Sequence, residues 1–73
     1  MQMTRELGAR LRTSRTRRDV HHAIAAELAG MSERAWVELE MGLRARWAGL
    51  PMLNLMRVCD AVGTHPAVLF LGL

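Results

Sequence analysis

Arginine side chains supply all the fixed positive charge of this sequence, and they are unevenly distributed. The chain has ten arginines and no lysine, and six of the arginines lie within residues 1–18, where Glu6 is the sole acid. A planar guanidinium matches the oxygens of a phosphate and the edge of a guanine, so this set fits a polyanionic partner. GC-rich coding would also explain the missing lysine, but it does not explain the clustering.

Residue types that support catalysis or bind metals do not form a pattern that indicates either. His21 and His22 are neighbours, but no cysteine, aspartate or third histidine stands at a spacing that completes a zinc site. There is no nucleophile–base pair and no glycine-rich phosphate loop, and Cys59 fits a small buried residue. We expect no enzyme, no metal and no cofactor. His21 is expected to cap a helix and His22 to approach a phosphate.

The length and composition favour one small domain over residues 1–73 with a thin core, because about half of the residues are apolar. No apolar run approaches the roughly 20 residues that cross a membrane. The basic N-terminus is not followed by the apolar segment of a signal peptide. We therefore expect a cytoplasmic protein without a membrane partner.

Two short helices joined by a tight turn are predicted in the middle of the chain. A helix over about residues 22–29 should end at Gly30, where glycine adopts a left-handed conformation at low cost. Ser32 is placed to cap a second helix, about 32–40, that turns Trp36 inward. A helix, a glycine turn, an N-cap and a second helix are the layout of a helix-turn-helix, whose second helix enters a DNA major groove.

Further helices are predicted on both sides of this pair. The first runs from about Arg5 to Arg17, with Thr4 as its N-cap. Residues 43–51 are predicted as a loop in which Trp47 plugs the core. Together with the central pair, these elements indicate an all-α domain.

The C-terminal third is predicted to hold a helix over Pro51–Val62 and a last turn that begins at Pro66 and is capped by Thr64 or His65. The buried stripe of the helix is predicted to consist of Met52, Leu55, Val58, Cys59 and Val62. The apolar C-terminal tail, FLGL, is where a small dimer interface would lie.

Five short pieces occur in order between Leu7 and Phe70: LGARLRTSR, AELAG followed by MS, LE-x-G, DAVG, and a final LF. In this order and spacing they resemble the Cro/CI-type (XRE-type) helix-turn-helix family of phage repressors and bacterial regulators. The resemblance implies a five-helix, all-α, lambda-repressor-like domain that binds double-stranded operator DNA, usually as a homodimer.

The resemblance also implies site residues. Those that fall on the family's base-reading positions are Glu33, Arg34, Val37 and Glu38. Those expected at the DNA backbone are Arg15, His22 and Ser32, and Arg44 and Arg46 join them because the chain that leaves the recognition helix is expected to run beside the backbone. Arg15 falls on the family's arginine that pairs with a glutamate near the end of the recognition helix, here Glu40. The sequence departs from the family at Met41, where an asparagine contacts the backbone, and after Gly42, where the loop is several residues longer.

The side chains of the recognition helix suit distinct base edges. Arg34 can form a fork on a guanine, Val37 can touch a thymine methyl group, and a glutamate can accept from a cytosine amino group. An Arg34–Glu38 pair, four residues apart on the helix surface, is the structural alternative for Glu38.

We expect a sequence-specific DNA-binding transcriptional regulator that acts by occluding an operator. It would be a small phage Cro/repressor-like protein or a bacterial autoregulator, without a small-molecule ligand. The alternative is a protein-interaction module, antitoxin-like or a regulatory partner, that keeps the fold but binds another protein. The residues that favour this alternative are the apolar Ile24, Leu28, Trp47 and Met41 and the acidic Glu33 and Glu38.

Overall fold

The computed structural model describes residues 3–73, and every regular element in that range is a helix. The helices are α1 (Met3–Arg17), α2 (His22–Ala29), α3 (Glu33–Glu40), α4 (Arg44–Ala48), α5 (Met52–Ala61) and α6 (Pro66–Leu69). The predicted all-α class is confirmed, whereas the described range holds six helices and not five. Residues 1 and 2 of the predicted domain lie outside the described residues. None of the six helices has the length and apolar character that a membrane crossing requires.

The core is built around Trp36, which α3 turns inward and which is fully buried. Leu11 of α1, Leu39 of α3, and Val58 and Val62 near the end of α5 belong to the same cluster. Helix α2 contributes three buried alanines, whose small side chains allow α3 and α5 to approach it. A large side chain set against small ones conserves core volume. The packing therefore fixes which face of α3 points inward and which points outward.

Helix α1 crosses the end of α3 at Gly8. A side-chain carbon added at Gly8 would lie 2.5 Å from the carbonyl oxygen of Glu40 and 2.6 Å from that of Leu39. Only glycine leaves room for this crossing. The C-terminal end of α3 therefore packs on α1, whereas its N-terminal end follows the turn after α2.

The predicted loop over residues 43–51 is wrong, because residues 44–48 form α4. Arginine and alanine, which dominate this segment, are strong helix formers. The helix also directs Trp47 inward, where its Nε1 donates to the carbonyl oxygen of Leu39 at 2.9 Å. The partly buried indole packs on the core, so its predicted role as a core plug is confirmed.

Three further details of the helices differ from expectation. Thr4 lies inside α1 and does not cap it, because the neighbouring residues favour helix and α1 already includes Met3. Pro51 is the N-cap of α5 and not its first residue. Met52 is exposed, together with Leu53 and Met56, because apolar residues surround most of α5 and their spacing does not single out the inward stripe.

The last helix, α6, is capped by His65, whose Nδ1 accepts the amide hydrogen of Ala67 at 3.0 Å. The apolar tail that follows it is exposed at Phe70, Leu71 and Leu73.

Candidate nucleic-acid interface

The chain turns sharply between α2 and α3. Gly30 ends α2 with a φ of +72°, a conformation that other residues rarely adopt. The amide of Met31 donates to the carbonyl of Ala26 at 3.0 Å and closes the helix end. The hydroxyl of Ser32 accepts the amide hydrogen of Ala35 at 3.1 Å and caps α3. The predicted glycine end and serine cap are both confirmed, and they set the direction in which α3 leaves the turn.

Helix α3 has one buried and one exposed side. Its buried residues are Ala35, Trp36 and Leu39. The helical repeat places the four predicted base-reading residues on the other side: Glu33, Arg34, Val37 and Glu38. The Arg34 side chain is 88% exposed, whereas Val37 and Glu38 are partly covered. The structure therefore brings the four residues onto one face, and their contact with bases stays a prediction.

The carboxylate of Glu38 is held by two arginines. Arg46, on α4, donates from Nε and Nη2 to Oε1 at 3.1 and 2.6 Å, and Nε of Arg34 lies 3.4 Å from Oε2. The hydrogen bonds from Arg46, with a smaller contribution from Arg34, lower the pKa of Glu38. The Arg34–Glu38 alternative is thus present in the structure, although at 3.4 Å it is the weaker contact. The segment after Gly42 brings Arg46 to the exposed side of α3.

Arg15 and Glu40 form the predicted pair between α1 and the end of α3. Arg15 donates to Glu40 from Nε at 2.5 Å and from Nη2 at 3.1 Å, and from Nη1 to the carbonyl of Val20 at 2.9 Å. Trp36 also donates to Glu40, at 2.6 Å. The hydrogen bonds with Glu40 raise the pKa of Arg15. A guanidinium has five N–H donors, so two remain for a further acceptor.

The two adjacent histidines connect the beginnings of α2 and α3. His21 caps α2, as predicted, because its Nδ1 accepts the amide hydrogen of Ala23 at 3.1 Å. The His21 and His22 rings stack with their centroids 4.2 Å apart. Nε2 of His22 contacts a carboxylate oxygen of Glu33. His22, a predicted contact to the DNA backbone, therefore lies against Glu33, a predicted base-reading residue.

Further arginines flank the C-terminal end of α3. Arg5 was not among the predicted contacts, but its backbone lies against Gly42, where an added side-chain carbon would approach the Arg5 Cα to 2.5 Å. Arg12 follows Gly8 by one helical turn on α1, and Arg44 is exposed at the beginning of α4. These three arginines form no ion pair within the described part of the chain. The clustering of arginines was the signal in the sequence, but it could not assign each one to a face.

The basic N-terminal segment does not form one surface. Arg10 faces the other side of α1, where it donates to the carbonyls of Leu69 at 3.1 Å and Leu71 at 2.5 Å and holds the tail. Arg17 and Arg18 also line cavities on that side. The arginines of residues 3–18 are therefore divided between two faces of α1.

Comparison with protein-family models, curated proteins and solved structures gives no match for this chain. Within residues 3–73, no three histidine, cysteine or acidic side chains are grouped closely enough to hold a metal ion.

Proposed function

We propose that this protein is a sequence-specific DNA-binding transcriptional regulator, in which α2 and α3 form a helix-turn-helix of a lambda-repressor-like domain. The observation that carries the proposal is the position of Arg34, 88% exposed in the first turn of a helix whose opposite face is anchored in the core. Recognition helices contact base edges with residues near their N-terminal end. An arginine in that position can bind the O6 and N7 atoms of a guanine as a fork.

The charges around α3 support its approach to a polyanion. Each carboxylate of this helix already has a cation or a proton donor beside it: His22 at Glu33, Arg46 and Arg34 at Glu38, and Arg15 at Glu40. This pairing offsets the repulsion that three carboxylates would feel near phosphates. The flanking Arg5, Arg12 and Arg44 then supply positive charge that no ion pair within residues 3–73 neutralises.

The proposed division of roles follows this geometry. Arg34, Val37 and Glu33 read bases. Glu38 positions Arg34 and Arg46, which both contact its carboxylate. The residues assigned to the sugar–phosphate backbone are Arg15, His22, Ser32, Arg44 and Arg46. Arg15 contributes its two free N–H groups, and the others contribute from the rim of the exposed α3 face.

Regulation would follow from occupancy alone. In the proposed homodimer the exposed apolar tail joins the two copies, and operator binding requires their two recognition helices to lie about one helical turn of DNA apart, roughly 34 Å. A homodimer bound in this way covers an operator and excludes polymerase. This is the action of a small phage repressor or a bacterial autoregulator that responds to its own concentration.

The proposal is tested by selecting bound duplexes from a random pool and measuring their affinity at two salt concentrations. The expected result is a palindrome with half-sites about one helical turn apart, and an affinity that falls steeply as salt increases. A protein that enriches no sequence and binds no duplex in a salt-dependent manner would contradict it.

A second candidate function is a protein-interaction module. It is favoured by the exposed apolar side chains Ile24, Leu28 and Met41, which are 53%, 61% and 62% exposed. Trp47 packs on the core and donates to the carbonyl of Leu39, so its indole is not available to a protein partner. Salt-independent behaviour in the duplex assay, together with tight binding of a protein ligand that Met41→Ser abolishes, would favour this candidate over DNA binding.

A further inference from the structure

A shallow basic groove lies between the end of α1 and the turn that follows α5. We call this surface the basic groove. It is lined by Ser14, Arg17, Arg18, Val62, Gly63 and Thr64. The lining combines two guanidinium groups and two hydroxyl groups, and it includes no acidic residue. The cavity has a volume of about 210 Å³. That volume is enough for one small anion.

Arg18 is positioned in the groove by the glycine beside it. A side-chain carbon added at Gly63 would lie 2.7 Å from Cζ and 2.8 Å from Cδ of Arg18, so the arginine side chain occupies the space that any larger residue would need. Neither Arg17 nor Arg18 forms an ion pair with a carboxylate among residues 3–73. Two adjacent unpaired cations repel each other, and a bound anion would offset that repulsion.

The basic groove is separate from the exposed face of α3. Arg17 follows Gly8 by nine residues, which at 3.6 residues per turn is a rotation of about 180° around α1. Gly8 contacts the end of α3, so Arg17 points away from it. On the same side as Arg17, Arg10 donates to the tail carbonyls and lines the adjoining cavity, which shares Ser14, Arg17 and Thr64 with the groove.

We propose that the basic groove binds a phosphate group. A phosphate presents several acceptor oxygens in a tetrahedral arrangement, which suits two guanidinium forks and two hydroxyl donors. A carboxylate has only two oxygens and a single charge, and it would leave donors unused. The phosphate can belong to a small phosphorylated molecule or to a nucleic-acid backbone, and the two sources share this chemistry. The site does not depend on base reading by α3, so it stands apart from the function proposed above.

The proposal is tested by titrating ¹⁵N-labelled full-length protein with inorganic phosphate at constant ionic strength. We expect saturable changes in the NMR signals of the Ser14 and Thr64 amides and the Nε–H groups of Arg17 and Arg18. Sodium chloride should not produce them. A second titration uses a random-sequence duplex. Groove signals that move with phosphate indicate a small-molecule source, and signals that move only with the duplex indicate the nucleic-acid backbone.

Variants identify the groups responsible. The double variant Arg17→Gln and Arg18→Gln should weaken phosphate binding at least about tenfold, because hydrogen bonds to charged groups are lost. Thr64→Val should weaken it less, since it removes one neutral donor at nearly constant shape. Arg57→Gln removes one positive charge from an exposed site on α5, so it is the control matched in charge to the single variants Arg17→Gln and Arg18→Gln.

Two results would overturn the proposal. One is the absence of saturable changes at the groove with either probe, and the other is an affinity that the double variant does not alter. Arg34→Ala should leave the phosphate titration unchanged, so failure of DNA recognition by α3 is distinguishable from failure of this site.

Discussion

Arg46 on α4 donates two hydrogen bonds to a single carboxylate oxygen of Glu38 on α3, at 3.1 and 2.6 Å. The contact gives the short α4 a role, because it brings a cation to the exposed side of the preceding helix. The lowered pKa of Glu38 makes the pair sensitive to acid. The pair stabilises the fold above the pKa of the unfolded carboxyl group, and this contribution disappears as the pH falls through the lowered folded value.

Glu38→Gln is expected to increase the affinity for random duplex DNA. The substitution removes a negative charge beside the phosphates and frees Arg46 from its ion pair, which makes the Arg46 charge fully available to the phosphate that it is proposed to contact. The plot of log affinity against log salt should therefore steepen, by at most about one unit. Titrations at several salt concentrations measure the slope, with Glu27→Gln on the exposed side of α2 as the control. An unchanged slope with altered preference at one base position would make Glu38 a base reader.

Arg34→Ala is expected to cost about 1–3 kcal/mol of binding free energy on the selected site and to relax preference at one base position. The reason is that the Arg34 side chain is 88% exposed on α3, with a 3.4 Å contact to Glu38, and can form a fork on a guanine. Binding assays on the selected site and on single-base variants measure the change, and Arg57→Ala serves as the control. An equal loss on every sequence would assign Arg34 to the phosphate backbone.

Arg44→Ala is expected to weaken binding to all duplexes alike and to reduce the salt slope by about one unit. Arg44 is exposed at the beginning of α4 and has no carboxylate partner in the described range, so its charge is available to a phosphate. The same salt titrations apply. A slope equal to that of the wild-type protein would remove Arg44 from the backbone contacts.

The local features of the fold could be predicted from the sequence because neighbouring residues determine them. Gly30 and Ser32 act within one turn of their positions, and both are found where expected. Helix α4 was missed because no side chain caps its beginning and its formation is tied to the burial of Trp47. Propensity alone gives a weak indication for a segment of five residues.

The sequence predicted which residues lie on the exposed face of α3, but it did not predict all of the side-chain contacts between them. The spacing on α3 placed Arg34 on the exposed side, and the resemblance supplied the Arg15–Glu40 pair. The contact between Arg46 and Glu38 depends on the path of the chain after Gly42, which residue types do not specify. The division of the N-terminal arginines between two faces likewise depends on where the tail packs.

Glu40→Gln is expected to destabilise the fold by about 2–4 kcal/mol, because it leaves the partly buried guanidinium of Arg15 without its counter-charge. The two side chains are 12% and 10% exposed, and Glu40 also accepts from Trp36. Urea unfolding measures the change, and replacing both partners, Arg15→Met with Glu40→Gln, should recover part of the loss. Losses that simply add would show that the two residues are not coupled.

Alkaline pH is expected to destabilise the protein through Cys59. Burial, and to a smaller extent the charge of Asp60, raises the pKa of this thiol to about 11. The folded chain therefore retains a proton that the unfolded chain releases, so stability falls as the pH rises above the ordinary thiol range and levels off above the folded value. The loss should reach about 1–2 kcal/mol at pH 10. Unfolding measured from pH 8 to 11 tests this, and Cys59→Ala, although less stable at neutral pH, should lack this component of the decline. An identical decline in both proteins would trace the alkaline loss to other groups.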